Sequence, residues 1–183
     1  ICIFDNNNAD IAAAIYNRNL FPTIGVIRTI NCIFTRNIAA NGSSCISSIN
    51  TLLISNKLYI TNCTFSAKEA GNFTAVIAAD DYEIYNSIFW GNTNNFGTRG
   101  DLNPSSLGEV YHSIVENGWT GTGNNIINAD PLFIYPPDLE YAPLESGDLR
   151  LQDCSPAIDV GDNNAPDLVG VNTDLDGNDR IYN

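Results

Sequence analysis

With 183 residues the chain is long enough to bury one core, and 8 basic against 21 acidic side chains give it a net charge of −13. Such a surface repels nucleic acid and anionic membranes, because both require Lys and Arg to neutralise phosphate. No run approaches the roughly 20 apolar residues of a membrane-spanning helix, so neither a nucleic-acid partner nor a membrane-spanning segment is expected.

The chain opens inside a repeat and shows no signal-peptide pattern, so it reads as a section of a longer protein. Cys2-Ile-Phe4 is the first copy of the repeat. Asn31-Cys-Ile-Phe34, Asn62-Cys-Thr-Phe65, Asn86-Ser-Ile-Phe89 and His112-Ser-Ile-Val115 follow. The apolar anchors fall at 4, 34, 65, 89 and 115, in steps of 30, 31, 24 and 26 residues. Steps of that size signal stacked repeats, and they leave room for the dozen or more residues that a parallel connection needs.

Within one repeat the alternation is strand-like. Leu58 and Ile60 share a face, Asn62 breaks the alternation, and Cys63 and Phe65 resume it. Asn tolerates the left-handed conformation, so the unit reads as strand, one-residue corner, strand and variable loop. Asn31, Asn62 and Asn86 would then form a corner ladder, with His112 in the same role. Asn7, Asn37 and Asn92 each follow the aromatic by three and mark the end of the second strand. Stacking would gather Phe4, Phe34, Phe65 and Phe89 into one apolar column. Ala9 to Tyr16 reads as strand with small residues in a narrow interior, not as a helix.

Cys2, Cys32 and Cys63 occupy one repeat position, which Ser87 and Ser113 fill in the next two copies. Equivalent positions in adjacent coils lie about 4.8 Å apart with parallel side chains. A disulfide wants Cβ atoms about 3.8 Å apart and converging. The three cysteines are therefore expected to be free thiols stacked in the core, with Cys45 and Cys154 isolated.

The stretch from Gly91 to Pro104 is rich in Gly and Asn and is expected to protrude. Trp90, Phe96, Trp119, Tyr135 and Tyr141 are the aromatics available to stack on sugar rings, and the first three are the candidate ligand-binding residues. The alternative is that Trp90 and Phe96 pack a loop onto the wall. After residue 120 the pattern becomes irregular. Gly147 to Leu151 alternates like a strand, and Ser155-Pro-Ala-Ile-Asp159, with Gly161 beyond, has the signature of one helical turn. This part is expected to cover the last coil.

These motifs together, Asn-Cys-x-Phe-x-x-Asn repeats followed by Asp130-Pro-Leu-Phe133, Gly147-Asp-Leu-Arg-Leu-Gln152, Ser155-Pro-Ala-Ile-Asp-Val-Gly161 and Asp174-Leu-Asp-Gly-Asn-Asp-Arg180, resemble the C-terminal region of secreted bacterial right-handed parallel β-helix proteins. The group includes proteins with choice-of-anchor terminal domains, and the repeats are similar to polymorphic outer-membrane protein repeats. The resemblance implies a pectate-lyase-like fold and export to the cell surface or medium. It spans adhesins and polysaccharide lyases alike, so it does not select one function.

The residues bear on three chemistries. A lyase needs a base, often with calcium held by carboxylates, yet neither Lys57 nor Lys68 has an aspartate cluster in the adjoining repeats. A glycoside hydrolase needs two carboxylates. Asp80 and Asp81 are the candidate pair, although adjacent strand residues face opposite ways and a solvated turn is the competing reading. Asp174, Asp176 and Asn178 space oxygen ligands around a Gly, as calcium loops do, and calcium is the one cofactor the sequence offers. A turn locked by Arg180 is the other reading of that segment.

The expectation is an all-β, right-handed parallel β-helix (solenoid) over residues 1–120, with 121–183 as an irregular C-terminal closing section of the same domain. Its expected role is an extracellular or cell-surface scaffold for adhesion or glycan binding, with a polysaccharide or cell-surface glycan as partner. The alternative is the C-terminal part of a polysaccharide lyase or glycoside hydrolase acting on acidic polysaccharide.

Overall fold

The computed structural model describes residues 2–19, 24–50, 56–66, 69–70, 76–94, 101–102, 107–137 and 147–181. Every regular element among them is a strand. The first return comprises β1 (Cys2–Asp5), β2 (Asn8–Ala9) and β3 (Ile15–Asn19). The second comprises β4 (Val26–Ile30), β5 (Cys32–Thr35), β6 (Ile38–Ala39) and β7 (Ile46–Asn50). The third comprises β8 (Lys57–Thr61), β9 (Thr64–Ser66), β10 (Glu69–Ala70) and β11 (Ile77–Ala78). The fourth comprises β12 (Asp81–Tyr85), β13 (Ile88–Trp90) and β14 (Thr93–Asn94). Then come β15 (Leu107–Val115), β16 (Thr122–Ile127), β17 (Phe133–Tyr135) and β18 (Asp148–Leu151).

Each return pairs in parallel with the one before it. β1, β5, β9, β13 and β15 form one ladder, and β4, β8, β12 and β15 a second. The two are joined through β15, which runs continuously across the corner. The result is a large parallel sheet that curls through 273° without closing. Shorter parallel ladders run through β2, β6, β10 and β14, and through β3, β7 and β11. The pair β17 and β18 is antiparallel.

The register is the one the repeat spacing predicts. Phe4 lies opposite Phe34, Phe34 opposite Phe65, Phe65 opposite Phe89, and Phe89 opposite Val115. The four rings stack with centroids 4.7, 4.6 and 4.6 Å apart and planes within 6° of parallel. Phe34, Phe65 and Phe89 are fully buried. Leu58, Ile60, Tyr82, Ile84 and Val110 fill the inner face of the second ladder. Tyr82 needs a gap above it. A Cβ on Gly108, its register partner, would sit 2.4 Å from the phenol ring.

The corners follow from backbone chemistry. Asn31, Asn62, Asn86 and His112 have φ between 48° and 54°, a region that Asn enters at low cost. The next residue in each copy is Cys32, Cys63, Ser87 or Ser113. Its side chain reaches back over the corner and donates to the carbonyl two residues earlier. The distances are 3.2 Å for Cys32 to Ile30, 3.4 Å for Cys63 to Thr61, and 2.8 Å for both Ser87 to Tyr85 and Ser113 to Tyr111. The position thus asks for a small donor, which is why Cys and Ser interchange there. Cys2 and Cys32 are in register and all five cysteines are free thiols, but Cys2 is exposed in the first return, so only Cys32 and Cys63 of the expected stack lie in the core.

A second set of corners lies two residues past four of the five anchors, those at 4, 34, 89 and 115. Asn6, Arg36, Gly91 and Asn117 have φ of 54°, 52°, 70° and 68°. The guanidinium of Arg36 pairs with Asp5 of the preceding return, with Nε 2.7 Å from Oδ1. The amides that follow tie the returns together. Asn37 donates to the Phe4 carbonyl at 2.9 Å and Asn92 to the Phe65 carbonyl at 3.1 Å.

Two expectations change in detail. Ala9 to Tyr16 is strand only at its ends, where β2 closes and β3 opens, with bends between. Ser155 to Asp159 makes a single turn that does not continue into a helix. Ile158 donates to the Ser155 carbonyl at 3.2 Å, and Ser155 Oγ accepts from Ala157 at 3.1 Å while donating to the Pro131 carbonyl at 2.6 Å.

Candidate functional site

The two long ladders present different outer faces. On β4, β8, β12 and β15 the outward side chains include a linked polar group, flanked by the exposed Val26 and Leu107. Arg28 lies 4.0 Å over the Tyr59 ring. Lys57 Nζ is 2.9 Å from both Asp81 and Glu83. Tyr111 donates to Glu109 at 3.0 Å and stacks on Tyr85 at 4.9 Å. On β5, β9, β13 and β15 the outward positions are Ile33, Thr64, Ile88 and Ile114, which are mostly apolar. An apolar outer face needs cover, and the C-terminal section supplies it.

That section runs along the corner ladder, not only over the last coil. His112 Nδ1 meets the Val160 carbonyl at 3.2 Å. Asn86 donates to the Asp162 carbonyl at 2.9 Å and accepts from the Asp162 N–H at 2.8 Å. Arg28 pairs with Asp167 at 2.6 Å, and Asn31 donates to the Thr173 carbonyl at 3.3 Å. Residues 160 to 173 therefore pass from the fifth return back to the second.

Between this strap and the ladder lies a cleft of about 660 Å³. Ile88 and Ile114 contribute apolar surface from the ladder side, with Asn62, Asn86 and His112 along the corner. Asp159, Gly161, Asn163, Arg180 and Ile181 line it from the strap. A second depression of about 230 Å³ adjoins it, shares Asn62, Asn86, Ile88 and Arg180, and extends to Thr64, Asn31 and Asp174. Burial lowers the Arg180 guanidinium from its usual value, and its Nη1 donates to the Val171 carbonyl at 3.3 Å.

The cleft's polar groups suit binding better than proton transfer. The Nδ1 of His112 faces a carbonyl and its Nε2 lies 3.0 Å from the Asn125 amide nitrogen. That pattern places the proton on Nδ1 and makes Nε2 the acceptor. Both ring nitrogens are engaged, so His112 fixes geometry. Its neighbour Asn125, with φ 55°, continues the corner ladder one strand further.

Of the catalytic, ligand-binding and metal candidates named from the sequence, none lies among the residues lining this cleft. Asp80 is exposed at the bend before β12, and Asp81 begins that strand in its pairing with Lys57. Partial burial opposes the Lys57 charge, but its hydrogen bonds to Asp81 and Glu83 outweigh this and raise the amine well above its ordinary value. An amine held as a cation is a poor general base at neutral pH. Trp90 is half-buried at the end of β13. Trp119 packs against the core at 6.1 Å from the Tyr82 ring and donates to the Thr122 carbonyl at 3.0 Å. Phe96, Lys68 and Tyr141 lie outside the described residues.

The Asp174 to Asn178 segment is a tight hairpin turn with Gly177 at φ 85°. Both Asp174 carboxylate oxygens accept from Asn178, at 2.8 and 3.1 Å. Those bonds lower the Asp174 pKa. A cation seated there would have to open them. Among the described residues no three His, Cys, Asp or Glu side chains converge as a metal site requires.

The cleft residues were visible in the sequence only in other roles, with Asn62 and Asn86 as corners and Arg180 as a lock. The available signal was the apolar third residue in Asn-Cys-x-Phe and its copies, Ile33, Ile88 and Ile114, which points outward and calls for cover. Comparison of the chain with protein-family models, with curated proteins and with solved structures returns no match. On its own geometry, the chain is an all-β protein built on a curled parallel sheet with a laterally bound C-terminal section.

Proposed function

We propose that this chain is a section of a right-handed parallel β-helix from an exported or cell-surface protein, and that it acts as a non-catalytic scaffold that binds glycan. The observation that carries the reading is the cleft between the corner ladder and the strap. It sets apolar side chains, Ile88 and Ile181 among them, beside a larger number of convergent polar groups, which suits a ligand with both an apolar face and hydroxyls. Its walls are held by strands and by paired hydrogen bonds, so it is preformed and loses little entropy on binding. The parallel register, in which every return repeats the one before, supports the β-helix reading.

The test is retention of the full chain on a panel of immobilised neutral and acidic polysaccharides, with product assays for unsaturated uronate and new reducing ends run alongside. Retention without product is expected. Product formation would replace the scaffold with the degrading enzyme, and Asp80→Asn and Asp81→Asn would then be the first variants to make.

A further inference from the structure

We propose that the cleft takes a neutral, linear oligosaccharide laid along the stacking axis, an inference that rests on the glycan-binding reading above and narrows it. The direction comes from the lining. Ile114, Ile88 and Thr64 stand at one register position on β15, β13 and β9, and the two adjoining depressions share the residues between them. The corner residues His112, Asn86, Asn62 and Asn31 step alongside. Adjacent parallel strands lie about 4.8 Å apart, so three steps from His112 to Asn31 span about 14 Å. A groove whose walls repeat along one axis fits an unbranched polymer whose units also repeat.

The chemistry of the units follows from the same residues. A pyranose ring has an apolar C–H face, which the partly exposed Ile88 and Ile181 can meet, and a rim of hydroxyls that both donate and accept. Asn163 offers an amide of both characters, Asp159 an acceptor and Arg180 a donor, all along the strap side of the cleft. The ligand's charge is set by its surroundings. Asp159 and Asp174 against Arg180 leave the lining without a positive excess, and the whole chain stands at −13. A polyuronate would meet repulsion along the entire approach. A neutral chain meets none.

Gly161 gives a direct test. A Cβ there would have the Asn86 side chain as its nearest neighbour, at 3.4 to 3.6 Å, which is ordinary contact. Gly161→Phe should therefore fill the cleft while leaving the fold intact, as thermal melting would verify. Asn163→Ala, at an exposed rim position, is the milder second variant. The probes are mixed-linkage β-glucan and pullulan as neutral, unbranched polymers and polygalacturonate as the acidic one, in affinity electrophoresis of the full chain at low and high salt. Retardation by a neutral polymer, unchanged by salt, is expected. It should weaken at least tenfold in Gly161→Phe and severalfold in Asn163→Ala. Salt-sensitive retardation by polygalacturonate alone would overturn the inference and leave the glycan-binding reading standing. Neutral binding unchanged in both variants would also overturn it, by placing the site elsewhere. If no polymer retards the wild type, both the inference and the glycan-binding reading fall.

Discussion

Asn86 tests the link between corner geometry and the strap. It does two jobs at once, adopting φ 50° and holding both the N–H and the carbonyl of Asp162. Replacing Asn86 by Gly keeps the left-handed corner and removes the strap bonds. Two hydrogen bonds at about 0.5–1.5 kcal/mol each put that loss at roughly 1–3 kcal/mol. Replacing it by Ala removes the same bonds and forces an ordinary L-residue into the left-handed region, which adds about 1–2 kcal/mol. The greater chain entropy of Gly offsets part of the difference, so Ala should be the less stable by about 1 kcal/mol. Urea denaturation of the two variants measures this, and limited proteolysis reports release of the strap near residue 162. Equal stability of Gly and Ala would refute the corner assignment. Wild-type protease resistance in both variants would refute the strap contact.

Other substitutions probe the stack itself. Phe65→Ala removes a ring stacked on both sides, and should cost about 3–5 kcal/mol by urea denaturation. Cys63→Ser keeps a small donor to the Thr61 carbonyl and should be tolerated, whereas Cys63→Val removes that bond, leaves the carbonyl only the Asn31 N–H, and should lose about 0.5–1.5 kcal/mol in the same assay. Iodoacetamide should label Cys2 and Cys154 in the native protein, and Cys32, Cys45 and Cys63 only after unfolding, with intact mass as the readout. Lys57 has its pKa raised in the folded state by Asp81 and Glu83. Its stabilising contribution is therefore fully present below its unfolded value of about 10.4 and is lost as pH rises through the higher folded value. The stability difference between wild type and Lys57→Met should accordingly stay constant from about pH 7 to pH 9 in urea titrations.

The parts of the fold that could be read in the sequence are those that recur. Phe4, Phe34, Phe65 and Phe89 announce their column because in-register parallel pairing puts like residues on like. Asn31, Asn62 and Asn86 announce their corners because few other side chains accept φ near 50°. The strand β16 was harder to read. It pairs Asn124 with Tyr111, a return of only 13 residues, and carries no aromatic anchor. The path of the strap left no pattern at all, since the ladder holds it through the carbonyls of Val160, Asp162 and Thr173, and any residue supplies a carbonyl. The cleft is formed where that path meets the apolar outer positions, which is why the aromatics Trp90 and Trp119 drew attention while Ile88 and Ile114 did not.

Hydrogen–deuterium exchange with and without a retained neutral polysaccharide tests the placement of the site most directly. Protection is expected in four segments, 86–88 and 112–114 on the ladder and 157–163 and 180–181 in the C-terminal section. Protection confined to the polar face around Tyr59, Glu83 and Tyr111 would contradict it and move the binding surface to the other ladder.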